Sequence, residues 1–172
     1  MVTVRPATID DADSIASVHI RSWQAAYSEI LPAEFLAGLS YERRRLRWRE
    51  NLIAGDTSTL VVETPEGEVV GFASVGSGAE VGLGELYAIY LEPRLWGTGL
   101  GRRLMAATDE LLLQSGFSAA TLWVFADNLR ARRFYEAAGW THDGGVRLED
   151  IGGVQPQQMR YRRHFGQDNH PS

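Results

Sequence analysis

The chain of 172 residues contains no cysteine. Disulfide staples, thiolate metal sites and a cysteine nucleophile are therefore excluded, and any covalent intermediate would need serine, threonine or a similar group. Lysine is missing as well, because all 17 basic residues are arginines. Every positive side chain stays charged, and none can form a Schiff base. No apolar run approaches the roughly 20 residues that span a bilayer. The N-terminus MVTVRPATIDD lacks the basic and apolar regions of a signal peptide. These absences lead us to expect a soluble, cytoplasmic protein with no membrane partner. No histidine pair has metal-ligand spacing, so no metal is expected either.

What is present suits one globular unit. Hydrophobic residues make up 44% of the chain, enough for a core without staples. We expect a single domain over residues 1–165, followed by a disordered tail, GQDNHPS, over 166–172. A net charge of -5 gives no general attraction to nucleic acid, so small molecules are the expected partners. The cluster Arg43, Arg44, Arg45, Arg47 and Arg49 reads as a solvated helix face, since Leu46 and Trp48 interrupt it and Glu42 and Glu50 flank it.

The pattern alternates between strand and helix. Residues 2–5 read as a strand, left at Pro6, and Thr8 is placed to cap a helix carrying Ile15, Val18, His19, Trp23 and Ala26 on one face. His19 is expected to pack in the core. One or two helices follow Pro32, with Leu46, Trp48, Leu52 and Ile53 as their buried set and Gly55 as a stop. Residues 59–63 and 69–75 flank TPEGE and predict a hairpin. A strand over 85–91, a helix over 99–115, a strand over 120–125, a helix over 128–138 and one or two last strands complete the chain. Crossover helices favour parallel pairing, whereas the hairpin requires antiparallel neighbours. The fold class is therefore α/β or α+β, with one mixed sheet.

One segment carries chemistry. In WGTGLGRR, Gly97, Gly99 and Gly101 remove side chains where a strand meets a helix, so backbone amides can approach an anion such as a pyrophosphate. Taken alone, such glycines can equally make nothing more than a tight turn. Neither the dinucleotide fingerprint nor a Walker loop is met.

Together with VRPATIDDADSIA at the start, the hairpin, and LWVFADNLRARRFYEAAGW, the segment resembles the GCN5-related N-acetyltransferase (GNAT) superfamily. Trp96, Gly99 and Gly101 occupy the places of that family's turn, with Trp96 standing where Gln or Arg is usual. The resemblance implies the acyl-CoA N-acyltransferase fold: a mixed, mostly antiparallel sheet with a central splayed parallel pair. It also implies acetyl-CoA as co-substrate and an N-acetyltransferase activity on a primary amine. Pantetheine would lie in the gap between the splayed strands, bonded to backbone groups of Ile89 and Leu91 in the manner of an added strand. The coenzyme set implied is Ile89, Tyr90, Leu91, Trp96, Gly97, Thr98, Gly99, Leu100, Gly101, Arg102, Asn128, Arg130 and Arg132.

For the chemistry, an alkyl ammonium with pKa near 10 must lose a proton before it attacks a thioester. Glu85 matches the strand position where some members carry a glutamate base; otherwise it is an exposed carboxylate at a strand end. Tyr135 matches the tyrosine that faces the coenzyme sulfur and would protonate the leaving thiolate; otherwise it is a core aromatic beside Phe134. The first helices and last strands would wall the acceptor pocket, nominating Trp23, Tyr27, Glu29, Tyr87 and the loop 147–157. A catalytically silent acyl-CoA sensor is the alternative function. A homodimer is the expected assembly.

Overall fold

The computed structural model describes residues 1–165; the expected tail, 166–172, lies outside the described residues. Seven strands form one sheet in the order β1-β2-β3-β4-β5-β7-β6. They are β1 (Thr3–Pro6), β2 (Ser58–Glu63), β3 (Val69–Ser77), β4 (Leu83–Leu91), β5 (Ala119–Phe125), β6 (Thr141–Leu148) and β7 (Gln157–His164). Five α-helices accompany them: α1 (Ala12–Ala26), α2 (Ala33–Ala37), α3 (Tyr41–Ala54), α4 (Leu100–Gln114) and α5 (Leu129–Ala137). Every neighbouring pair is antiparallel except β4 and β5, which are parallel. The mixed, mostly antiparallel sheet flanked by helices is thus the one the resemblance implies.

The parallel pair is short. Register holds for Leu83 with Ala119, Gly84 with Ala120 and Glu85 with Thr121, and stops there. On its other edge β4 shifts register against β3: Ser74 pairs with Ala88 but Val75 with Leu86, which leaves Tyr87 as an extra residue. A bulge of this kind bends its strand and sharpens the local twist. Beyond Glu85, then, β4 turns away from β5 and the two strands splay.

Alternation along β2 divides the core between the sheet faces. Leu60 and Val62 point to one face, where Leu104, Met105 and Leu112 of α4 pack with Val70, Leu122, Trp140 and Tyr161. Val61 points to the other, against Ile15, Ala16 and Val18 of α1, Trp48 of α3 and Phe72. Each of these large side chains contributes about 1.5–3 kcal/mol by leaving water.

Two local expectations are corrected. Thr8 caps a 3₁₀ turn, Ile9–Asp11, that precedes α1, and its amide donates to Asp11 Oδ2 at 2.7 Å. Asp11 also receives Arg5, which bridges to Glu63, so the turn is tied to the sheet edge. In α3 only Trp48 of the expected set is fully buried, while Leu46 and Ile53 are 50% and 61% exposed. The helix leans on α1 along a narrow line, so Arg44 rather than Leu46 meets α1, with its guanidinium 5.5 Å from the Trp23 ring centre. His19 is a core residue as expected. It accepts from Trp48 Nε1 at 3.1 Å through Nδ1, stacks on Tyr90, and is held neutral by burial, which lowers its pKa to about 3 with help from Arg44.

Candidate active site

The splay opens two clefts that meet in the middle. The larger, about 470 Å³, runs from the glycine turn to α5 and is lined by β4 residues Ile89, Tyr90 and Leu91, by Trp96 and by Tyr135. The second, about 350 Å³, lies between β4 and β5 and is lined by Glu85, Tyr87, Trp123, Arg147 and Gln158 among others. Ala26, Ile89, Tyr90, Arg130, Ala131 and Tyr135 line both. The two clefts therefore share a wall, and Tyr135 stands in it.

The glycine end of the larger cleft is built by backbone. Gly97 and Gly99 have φ of 75° and 89°, the left-handed region in which L side chains are strained. Gly99 caps α4 without a side-chain acceptor; the Leu100 amide donates to Thr98 Oγ1 at 3.5 Å, and the next amides of the first turn, at Gly101 and Arg102, are left available with the positive end of the helix dipole behind them. Thr98 donates its hydroxyl to Leu95 O at 2.6 Å, which closes the turn. At Gly101 a Cβ would stand 3.2 Å from the Phe134 ring, so this glycine lets α5 approach α4.

Trp96 has a defined job in the turn. Its Nε1 donates to Leu91 O at 3.0 Å, and the Arg130 guanidinium lies 3.6 Å from its ring centre. Ser22 Oγ also donates to Leu91 O, at 3.2 Å. The Leu91 carbonyl is thus engaged twice by the protein itself, while Leu91 also lines the larger cleft. The edge of Ile89, on the splayed stretch, carries no such contact.

The other expected coenzyme residues divide. Tyr90, Gly97, Thr98, Gly99, Gly101, Arg102 and Arg130 line the larger cleft. Leu100 begins α4 outside the lining. Asn128 spends its side chain capping α5, accepting from Ala131 N at 3.3 Å, and lines the second cleft instead. Arg132 lines neither cleft. Its Nε donates to the Tyr161 hydroxyl at 3.1 Å and its Nη1 to Ala126 O at 2.9 Å, because the two residues from Arg130 turn it by about 200° to the other side of α5.

Tyr135, Tyr27 and Tyr90 converge at the junction. The hydroxyls of Tyr27 and Tyr90 are 2.8 Å apart, and burial pushes all three phenols above their ordinary value. Burial is also the main cause at Glu85, whose carboxyl is lifted, with Arg147 pulling it partly back. Trp23, Tyr27 and Tyr87, nominated for an acceptor pocket, line the second cleft, and the Tyr87 hydroxyl donates to Ser77 O. Glu29 does not: α1 ends at Ala26, the chain turns over Tyr27, and Glu29 faces solvent. Sequence reasoning missed Trp123 and Gln158. Both are inward positions of strands β5 and β7, a signal that needs the sheet order to be read.

Among the described residues, no group of acidic residues and histidines is arranged to hold a metal ion, and no helix is long and apolar enough to cross a membrane. A splayed parallel pair beside a glycine turn at a helix N-terminus defines the class, an acyltransferase of the N-acyltransferase fold. The comparisons agree. The profile of the Acetyltransferase (GNAT) family matches residues 20–140, and the chain belongs to that family; it is an acetyltransferase.

Among relatives, the chain is 40% identical over 162 residues to the uncharacterized N-acetyltransferase YuaI of Bacillus subtilis (strain 168), covering 88% of this chain and 91% of that one. The fold is shared with a paiA N-acetyltransferase from Thermoplasma acidophilum in complex with coenzyme A, at a TM-score of 0.77 and 19% identity over 96% of this chain and 99% of that one. It is also shared with yncA, a putative acetyltransferase from Salmonella typhimurium with its cofactor acetyl-CoA, at a TM-score of 0.74 and 20% identity over 100% of this chain and 98% of that one.

Proposed function

We propose that the protein transfers an acetyl group from acetyl-CoA to a small primary amine, by direct attack of the amine on the thioester. The observation that carries this reading is the position of Tyr135 on the wall common to both clefts. The donor fits the larger cleft: backbone amides at the start of α4 suit its pyrophosphate, and the free edge of β4 at Ile89 suits its pantetheine arm. Arg102, in the first turn of α4, lies where phosphates would pass, and a guanidinium pairs well with phosphate oxygens.

Glu85, in the second cleft, accepts the proton the amine must lose. Its lifted pKa brings it closer to working pH, which favours a general base. As the new N–C bond forms and the C–S bond breaks, Tyr135 donates its proton to the departing sulfur. Burial keeps this phenol protonated at neutral pH, so the donor form is the resident one. The net change is amine and thioester to amide and free thiol, and Tyr135 recovers its proton from solvent. The absence of cysteine agrees with direct transfer.

The test is release of free thiol from acetyl-CoA by the full chain against a panel of amines. Amine-dependent release is expected. Protection against heat by acetyl-CoA without any amine-dependent release would make the protein an acyl-CoA sensor instead.

A further inference from the structure

The second cleft is lined by two carboxylates, Glu85 and Glu149, and two guanidiniums, Arg130 and Arg147. Arg130 is occupied by its stack on Trp96 at the junction of the clefts. Arg147 is held differently. Its guanidinium lies 4.3 Å from the Trp123 ring centre, and its Nε donates to Gln158 Oε1 at 2.8 Å. Gln158 is only 5% exposed, and its amide in turn donates to Glu149 Oε2 at 3.3 Å. Glu149 stands 3.5 Å from Arg147 Nη2. The buried glutamine thus fixes both the arginine and its neighbouring carboxylate, and the Nη1 edge has no hydrogen-bond partner among the described residues.

The strand order explains why this cation faces Glu85. Glu85 is on β4, Trp123 on β5, Gln158 on β7 and Arg147 on β6, four consecutive strands of the sheet. Arg147 lies across Trp123 toward β4, near enough for its charge to act on the Glu85 carboxyl. A ligand in the cleft therefore meets the Glu85 carboxyl and the Arg147 guanidinium, which is half-exposed, stacked on Trp123 and turned by its Nη2 toward Glu149. An acceptor bearing only positive charge would find its amine served and its remainder set against Arg147. A guanidinium whose face and Nε are already engaged is preorganised for an anion at its outer edge.

We propose, building on the acetyl-transfer reading, that the acceptor is an amino-acid-like zwitterion: its amine goes to Glu85, and its carboxylate goes to Arg147, pinned between Trp123 and Gln158. Arg147 is then a specificity residue, and Gln158 a positioning residue acting through it. Loss of either weakens recognition of the acceptor's anionic end; loss of Arg147 also lifts the Glu85 carboxyl further, which acts on every acceptor alike, so the acid-to-carboxamide ratio is what reports recognition.

The experiment uses the full chain with acetyl-CoA and reads free thiol for the α-amino acids, for the carboxamide of each, and for spermidine. At least one amino acid is expected to exceed its own carboxamide in kcat/KM by about tenfold or more. In Arg147→Met that ratio falls toward one through a raised KM for the acid, and Arg147→Lys restores part of it. Equal turnover of acids and carboxamides, preference for spermidine, or an unchanged ratio in Arg147→Met would overturn the proposal. The same amines are tested for heat protection of the protein with coenzyme A bound. Protection by an amino acid that needs Arg147, with no thiol release from any amine, would sink the acetyl-transfer reading and leave the anion site standing. Neither protection nor release would remove the anion site as well.

Discussion

Arg130, in the first turn of α5, lies with its guanidinium 3.6 Å from the ring centre of Trp96, which in turn hydrogen-bonds the last carbonyl of β4 at Leu91. The two residues close the larger cleft on the side where β4 gives way to the glycine turn. A cation–π contact of this type is worth about 0.5–2 kcal/mol. Trp96→Ala releases Arg130 and frees the Leu91 carbonyl, and the Kd for acetyl-CoA is expected to rise about three- to tenfold in a calorimetric titration. An unchanged Kd would mean that the stack does not shape the donor site.

Tyr135→Phe removes one hydroxyl and keeps the ring packed. Loss of a positioned acid typically costs about 10²-fold or more in rate. The expected outcome is a kcat lowered on that order with the Kd for acetyl-CoA unchanged. Wild-type turnover in this variant would remove Tyr135 from the mechanism.

Glu85 sets a pH dependence. As a base it works when deprotonated, so activity rises as pH climbs through its pKa, which burial has lifted above the ordinary carboxylate value. In Glu85→Gln that rise should be replaced by one that follows the amine's own deprotonation near pH 10. A profile identical to the wild type across pH would exclude Glu85 as the base.

Gly99 and Gly55 form a matched pair of controls. Both have left-handed backbone, with φ of 89° and 72°, and a Cβ would meet open space at either. Alanine at each is expected to cost about 1–2 kcal/mol of stability through backbone strain alone. Gly99→Ala should also weaken acetyl-CoA binding, since the strain falls on the turn before α4, whereas Gly55→Ala, at the end of α3, should not. Equal donor binding by the two variants would argue against the turn as the anion site.

Asp109 of α4 is buried beside Arg163, and burial lifts its carboxyl to about 6 despite that cation. A pKa raised on folding gives stability that is fully present below the unfolded value and is lost as pH rises through the folded one. Relative to Asp109→Asn, the wild type should therefore lose Tm between about pH 4 and pH 6 and hold a constant difference above that. A difference in Tm that stays flat across this window would show the group to be unperturbed.

The glycine turn was legible in the sequence because glycine is the residue that accepts left-handed backbone and close approach, so Gly97, Gly99 and Gly101 mark a turn; the anion it would bind came from the resemblance. The helical periods of α1 and α4 were legible for a similar reason: their buried faces repeat locally. The buried set of α3 was misjudged because the covered line runs through Arg44, Trp48 and Leu52, four residues apart, which leaves Leu46 and Ile53 off it, and an arginine stem can cover apolar surface as Arg44 does beside Trp23. Arg132 and Asn128 were assigned to the coenzyme from the resemblance, yet rotation along α5 takes Arg132 to Tyr161, and helix capping takes Asn128.

The sequence alone determined that the chain has no thiol or lysine chemistry, that a glycine turn opens α4, and that Tyr135 belongs to a helix that can face it. These follow from residue identity and short-range spacing. Only the tertiary structure decided that β4 parts from β5 after Glu85, that the bulge at Tyr87 accompanies the parting, and that Trp123, Gln158 and Arg147 gather opposite Glu85. Those residues come from four strands whose neighbours are set by sheet order, and sheet order is chosen by packing across the whole core rather than by any local run.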